Sequence, residues 1–287
     1  MSTNLYIIGN GLDLYFGLPT KTDDFCNELD NEAARFYADC GIDWSSWEEG
    51  LKDIDISEVC DQIEQVPDYM SDCEDDREGT VIEAEEQLDN ILEMRDTALK
   101  EMVDEANFKL DELSLSLFQY NRHLFDNNAI INFNYTSTIE RLFNLDNTFL
   151  NWHIHGYYED GEDLIFGFDK KKGYLEEYQK DLDNNENIDP FIYRQHNMGL
   201  EFYNANSKDY QIKQLEEKLK VFSKRKVDSV IVLGHSMGEV DHVYMEIIDK
   251  TLSPNIWEVS YYNSIGNYDN YSFTNKIRQF PFHYLIK

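Results

Sequence analysis

LYIIGNGLDLYFGLPT, residues 5–20, is the stretch on which the fold turns. Leu5 to Ile8 is a short run of β-forming apolar side chains that stops at glycine, the pattern of a strand buried on both faces. Gly9-Asn10-Gly11-Leu12-Asp13 follows at once. Glycines at 9 and 11 allow positive φ and let an anion approach the backbone. The amides of this turn and the N-terminus of a following helix are therefore expected to hold a phosphate. The spacing is not G-x-G-x-x-G, because position 14 is Leu. A tight strand-to-helix turn without a ligand is thus an equal alternative on the turn alone.

Working outward, Gly17-Leu18-Pro19-Thr20 ends the turn, and a helix is expected from Asp23 or Asp24, with Phe25, Leu29 and Phe36 on one side. Between Asp53 and Glu93 stand sixteen acidic residues and one basic residue, Arg77. This density reads as the solvated face of helices and a loop rather than an interaction surface. Residues 68–79 are expected to be a mobile acidic loop, because dense like charge with few apolar groups does not offset ordering entropy. Thr80 to Glu83 fits a capping box, followed by Ala84, Leu88, Ile91, Ala98 and Met102 close to helical spacing. Residues 24–125 are thus read as an inserted acidic, mainly helical subdomain, and residues 1–23 with 126–287 as a nucleotide-binding domain.

Further strands are expected at residues 129–133, 149–154, 164–166, 230–233 and 256–261, with a loop over 181–190 ending in Pro190. Amphipathic helices are expected around Ile212, Leu215, Leu219 and Phe222, and around Val240, Val243, Ile247 and Thr251. Alternating strands and helices imply an α/β fold, a Rossmann-like parallel sheet with helices on both faces. Ligands bind such sheets at the carboxyl ends of the strands. Four polar clusters fall there: Gly9–Asp13, Asn134–Thr136, His153–Gly156 and Gly234–Ser236.

Composition narrows the partners. The chain has 57 Asp+Glu against 25 Lys+Arg, a net charge of −32 over 287 residues. It repels nucleic-acid backbones and anionic membranes, and no basic patch stands out. The four cysteines, Cys26, Cys40, Cys60 and Cys73, form no C-x-x-C pair, so neither zinc nor a disulfide framework is expected. No apolar run approaches a membrane span and the N-terminus lacks a leader pattern, so a cytoplasmic location is expected.

Five separated motifs resemble the bacterial AbiH abortive-infection family, associated with defence against phage. They are YIIGNGLDLYFGLPTKTDDF, FNYTSTIERLF, HIHG, IFGFD and GHSMGEVDHVY, in that order over residues 5 to about 250. A more distant resemblance is to sirtuin-like NAD-binding domains. Gly9-Asn10-Gly11 resembles their first loop, Gly17-Leu18-Pro19 their turn, and Asn134 their strand-end Asn. His155-Gly156 resembles their His-Gly pair and Gly234-His235-Ser236 their last loop. Asp13 stands where Ser is usual, Thr136 where Asp is usual, and Asn10 where Ala is usual. The zinc cysteines of the protein deacylases are missing after His155. The resemblance therefore implies NAD hydrolysis rather than deacylation. Asn134 would orient water or ribose and His155 would serve as base, with Gly9, Asn10, Gly11, Asp13, Thr136, Gly234, His235 and Ser236 holding the nucleotide. It also implies a partner defence protein or a homo-oligomer that restrains the activity.

Other readings stay open on the residues. Asn134 also suits a capped turn. His153, two residues before His155, would share its face in a regular strand. Ser236 and Glu239 fit a capping box, and Asp241 would favour the dipole of the helix it opens. Gly234-His235-Ser236-Met237-Gly238 is also a literal G-x-S-x-G, with Asp269 and His283 as late triad candidates for a serine hydrolase. A non-catalytic nucleotide sensor or partner module is the remaining alternative.

Overall fold

The computed structural model describes residues 3–63, 74–113, 120–168, 173–185 and 187–286. The chain divides into two compact units. One comprises Met1–Lys21, Met102–Ile165 and Tyr210–Lys287; the other comprises Thr22–Glu101 and Phe166–Asp209. The boundaries differ from those drawn on the sequence: residues 166–209 join the inserted helices, and residues 102–125 join the sheet.

The first unit is built on six parallel strands: β1 (Thr3–Ile8), β2 (Ala129–Asn132), β3 (Leu150–His153), β4 (Val227–Leu233), β5 (Ile256–Tyr261) and β6 (Ile277–Pro281). Their order is β3-β2-β1-β4-β5-β6, the doubly wound Rossmann-like arrangement in which the chain reverses direction between β1 and β4. β1 is apolar from Leu5 to Ile8 because both of its faces are covered there. Leu5 and Ile7 enter one core with Ile131, Val230, Val232, Leu215 and Tyr244. Tyr6 and Ile8 enter the opposite core with Ile130, Leu233, Ala106, Leu110 and Phe125.

Helices of this unit are α1 (Gly11–Tyr15), α6 (Thr138–Leu142), α9 (Ile212–Phe222), α10 (His242–Leu252) and α11 (His283–Ile286). α9 buries Leu215, Leu219 and Phe222, the stripe its sequence spacing predicts. Residues 164–166 form no strand. Instead the Ile165 amide donates to the His155 carbonyl at 2.9 Å. The sixth strand, β6, is an addition to the sequence reading.

The second unit holds α2 (Thr22–Glu28), α3 (Asn31–Asp39), a 3-10 segment Trp44–Asp53, α4 (Ile56–Ile63), α7 (Tyr174–Asp183) and α8 (Pro190–Ala205). It also takes α5 (Glu74–Glu112) as far as Glu101. The single helix expected after Asp23 is two, because Asp30 caps α3 by accepting from the Glu32 amide. Residues 74–79 are helical, so Thr80 lies inside α5 and opens no capping box; residues 68–73 lie outside the described residues. The expected 181–190 loop is shorter, since α7 runs to Asp183 and Pro190 starts α8. Aromatic side chains fill the unit's core, with Phe25 against Trp44 and Phe166, and Tyr37 against Phe202. Two buried cations of the unit are paired: Lys208 Nζ lies 3.1 Å from Glu48 Oε2, and Arg95 Nη2 lies 2.6 Å from Asp96 Oδ1 while its Nη1 donates to Asn206 Oδ1 at 2.7 Å. Among the described residues Cys26, Cys40 and Cys60 form no disulfide, and Cys73 lies outside them.

Candidate active site

The turns after β1 and β4 grip each other. The Gly9 amide donates to the Leu233 carbonyl at 3.0 Å and the Gly11 amide to the Gly234 carbonyl at 2.8 Å. A Cβ on Gly9 would sit 2.6 Å from His235 Cα, and one on Gly11 would sit 2.6 Å from Gly234 Cα. Neither glycine lies in the left-handed region; Gly234 does, at φ 67°. These glycines therefore admit the chain's own backbone. The two amides expected to cradle a phosphate are hydrogen-bonded within the chain. α1 is five residues long and carries buried Asp13 in its first turn, so its N-terminus is a poor anion site. Asn10 closes the loop: its Nδ2 donates to the Thr20 carbonyl and its Oδ1 accepts from Thr20 Oγ1, both at 2.5 Å.

Beneath that turn lies a polar cluster between the ends of β1 and β2. Thr136 Oγ1 donates to Asp13 Oδ2 at 2.7 Å and lies 3.1 Å from Thr138 Oγ1. Asp13 is 1% exposed and Asn134 5% exposed. Asp13 Oδ1 and Asn134 Nδ2 are buried and complete no hydrogen bond within 3.5 Å. Burial pushes the Asp13 carboxyl up to about 6, against the opposing pull of Thr138, Thr136, Asn134 and His153. Asp13 and Thr136 are thus one hydrogen-bonded acid–hydroxyl pair.

On the opposite face a second cluster joins the ends of β3 and β4. Asp241 stands between two buried histidines, with Oδ2 at 3.2 Å from His235 Nε2 and Oδ1 at 3.5 Å from His155 Nε2. His235 Nδ1 accepts from the Met237 amide at 2.9 Å. That bond leaves the neutral ring's proton on Nε2, facing the carboxylate. Phe133 packs edge-on against both imidazoles, at 5.0 Å from His155 and 4.4 Å from His235.

β3 ends at His153, so the alternation of faces along the strand does not carry on to His155. His153 turns to the α6 side, where its Nε2 lies 2.9 Å from Glu140 Oε1, and His155 turns to the Phe133 and Tyr244 side. The two histidines belong to different clusters. No hydrogen bond joins Asn134 to His155 in this state; the structure brings Asn134 to Asp13 and Thr136, and His155 to His235. Asp241 and Glu140 were missed as site residues, because a single acid in a first helical turn gives no periodic signal of what it faces.

The comparison with family models matches residues 5–262 to the one described as "Bacteriophage abortive infection AbiH". The chain belongs to the AbiH family. Comparison with curated proteins and with solved structures found no match. In this AbiH chain the hydrolase elbow is not formed. Ser236 is exposed, and the strained left-handed positions of its turn are Gly234 and Met237 rather than Ser236. The nearest histidine in sequence, His235, is committed to Asp241. Asp269 and His283 are both exposed, and His283 packs against Tyr284. Ser236 is not a helix cap either, since Gly238 precedes the 3-10 turn Glu239–Asp241 that leads into α10. Among the described residues no helix is long and apolar enough to cross a membrane.

Proposed function

We propose that this AbiH protein defends against phage by hydrolysing NAD at the carboxyl ends of β1 to β4. In this reading water adds to ribose C1′ as the C1′–N bond breaks. The bonding pair leaves with nicotinamide, which departs neutral, and the water's proton passes to His155. The other product is ADP-ribose. Nicotinamide is already a cationic leaving group, so the site needs an oriented water, a base and ribose contacts rather than a strong acid. The observation that supports the reading is the buried pair Asn134 Nδ2 and Asp13 Oδ1, which completes no hydrogen bond of ordinary geometry although the Asn134 side chain already pulls on the Asp13 carboxyl. A ribose hydroxyl or the attacking water would satisfy both, since it accepts from one and donates to the other. Asp241 faces His155 as the third group that orients a base and stabilises its protonated form.

The phosphate contact of the sequence reading passes away from the Gly9 and Gly11 amides, and the nucleotide is held through its ribose instead. Asn134 and His155 are both buried, so turnover requires the strand-end loops to open. A restraint of this kind suits an enzyme whose substrate is essential to its host, with a partner protein or a second copy as the trigger.

The test pairs binding with turnover. Asn134→Ala and His155→Ala should each lower nicotinamide release by roughly 100-fold, the usual size of positioning and general-base effects, with NAD binding by calorimetry largely kept. NAD binding without nicotinamide release, in wild type under a confirmed trigger, would leave the nucleotide-sensor reading.

A further inference from the structure

The β2 and β3 ends hold a second histidine system that the proposed chemistry does not use. Asn134 is fixed at both of its main-chain polar atoms. Its amide donates to Asn132 Oδ1 at 3.0 Å, and its carbonyl lies 2.8 Å from His153 Nδ1. A carbonyl only accepts, so that bond places a proton on Nδ1. The other ring nitrogen, Nε2, sits 2.9 Å from Glu140 Oε1 and 3.4 Å from Asn132 Nδ2. Glu140 Oε1 also accepts from Asn151 Nδ2 at 2.5 Å, which fixes the carboxylate from the neighbouring strand position. The Tyr157 ring stacks on the imidazole at 4.3 Å, and its hydroxyl donates to Glu159 Oε2 at 3.0 Å. His153 is buried.

We propose that His153 is a positioning residue for Asn134, its Nδ1–H clamping the Asn134 carbonyl while Glu140 holds the far side of the ring. The clamp sets where the Asn134 side chain starts, between the ends of β1 and β2. It rests on the reading of Asn134 as catalytic, and it gives the HIHG motif two histidines with two tasks. His155 acts on the reacting water; His153 holds the backbone that carries the other working side chain. Their opposite facing follows from the end of β3 between them. Misplacement of a reacting group by about 1 Å costs up to roughly 100-fold in rate, so a clamp at one peptide is worth having.

Two substitutions separate the bonds. His153→Asn keeps an amide nitrogen near the Nδ1 position and loses the reach to Glu140. His153→Gln keeps a nitrogen near the Nε2 position and loses the clamp. We expect His153→Asn to stay within a few-fold of wild-type nicotinamide release, and His153→Gln to fall roughly 10- to 100-fold in kcat with KM unchanged. Equal losses in two folded variants, or a greater loss in His153→Asn, would overturn the proposal. A second arm needs neither turnover nor a variant. The ring nitrogen shifts of His153 in the ¹⁵N-labelled wild-type protein should show a protonated Nδ1. A bare Nδ1 would overturn the clamp even in an active enzyme, and a protonated Nδ1 in an enzyme that leaves NAD intact would locate the failure in the hydrolysis reading instead.

Discussion

At residue scale, Gly11 has its Cβ position filled by Gly234 of the neighbouring turn. Gly11→Ala should therefore destabilise the protein, by about 1–3 kcal/mol as overpacked sites do, with any nucleotide affinity lost only alongside the fold. A Gly11→Ala protein of unchanged thermal midpoint would contradict this packing. Asp13 carries a pH signature. Its carboxyl is pushed up to about 6 from 3.8, so the folded state binds the proton more tightly than the unfolded chain. The contribution to stability is present below about pH 4 and is lost as pH rises through about 6, on the order of 3 kcal/mol at 1.4 kcal/mol per unit. Asp13→Asn should flatten the denaturation midpoint between pH 4 and 6 and raise it at pH 7, while nicotinamide release falls. An unchanged slope would show that Asp13 titrates normally. The sequence marked Gly9, Gly11, Asp13, Asn134, Thr136, His155 and His235 as a strand-end group. It did not show that the glycines serve backbone contacts, because a motif states what a position tolerates and not what approaches it.

At element scale, runs buried on both faces were legible and edges were not. Leu5–Ile8 of β1 and Val230–Leu233 of β4 are unbroken apolar runs because helices cover both sides. β6 reads Ile-Arg-Gln-Phe-Pro and is only partly buried. Such a half-exposed edge strand carries no apolar run, and Pro281 at its end is tolerated because an edge needs fewer donors. Leu164-Ile165-Phe166 was the reverse case, an apolar triplet that forms no strand, with the Ile165 amide bonded to the His155 carbonyl. The break between α2 and α3 hangs on Asp30. Asp30→Ala removes the bond to the Glu32 amide and should cost about 1 kcal/mol, read as a lower urea midpoint with an unchanged slope. A neutral substitution there would mean that packing rather than the cap sets the break. Asp241→Asn belongs to this scale too, since it ties the β3 and β4 ends together. It should lower turnover roughly 10-fold or more by weakening the support of His155 as base, and full activity would remove Asp241 from the account.

At the scale of the whole molecule, the order of strands was implied by alternating strands and helices, whereas the division into units was not. Residues 166–209 give up the sheet for the helical unit, and nothing local in the sequence distinguishes a helix that packs on a sheet from one that packs on helices. At net charge −32 the chain repels nucleic-acid backbones, which leaves the small-molecule substrate proposed above, NAD, as the one to test. The measurement that bears most directly on that substrate is cellular NAD during phage infection of bacteria carrying the wild-type protein or the Asn134→Ala variant at matched abundance. The account predicts a collapse of NAD, with nicotinamide appearing in step, in wild-type cells only. Defence that persists in wild-type cells while NAD stays at its uninfected level would contradict it.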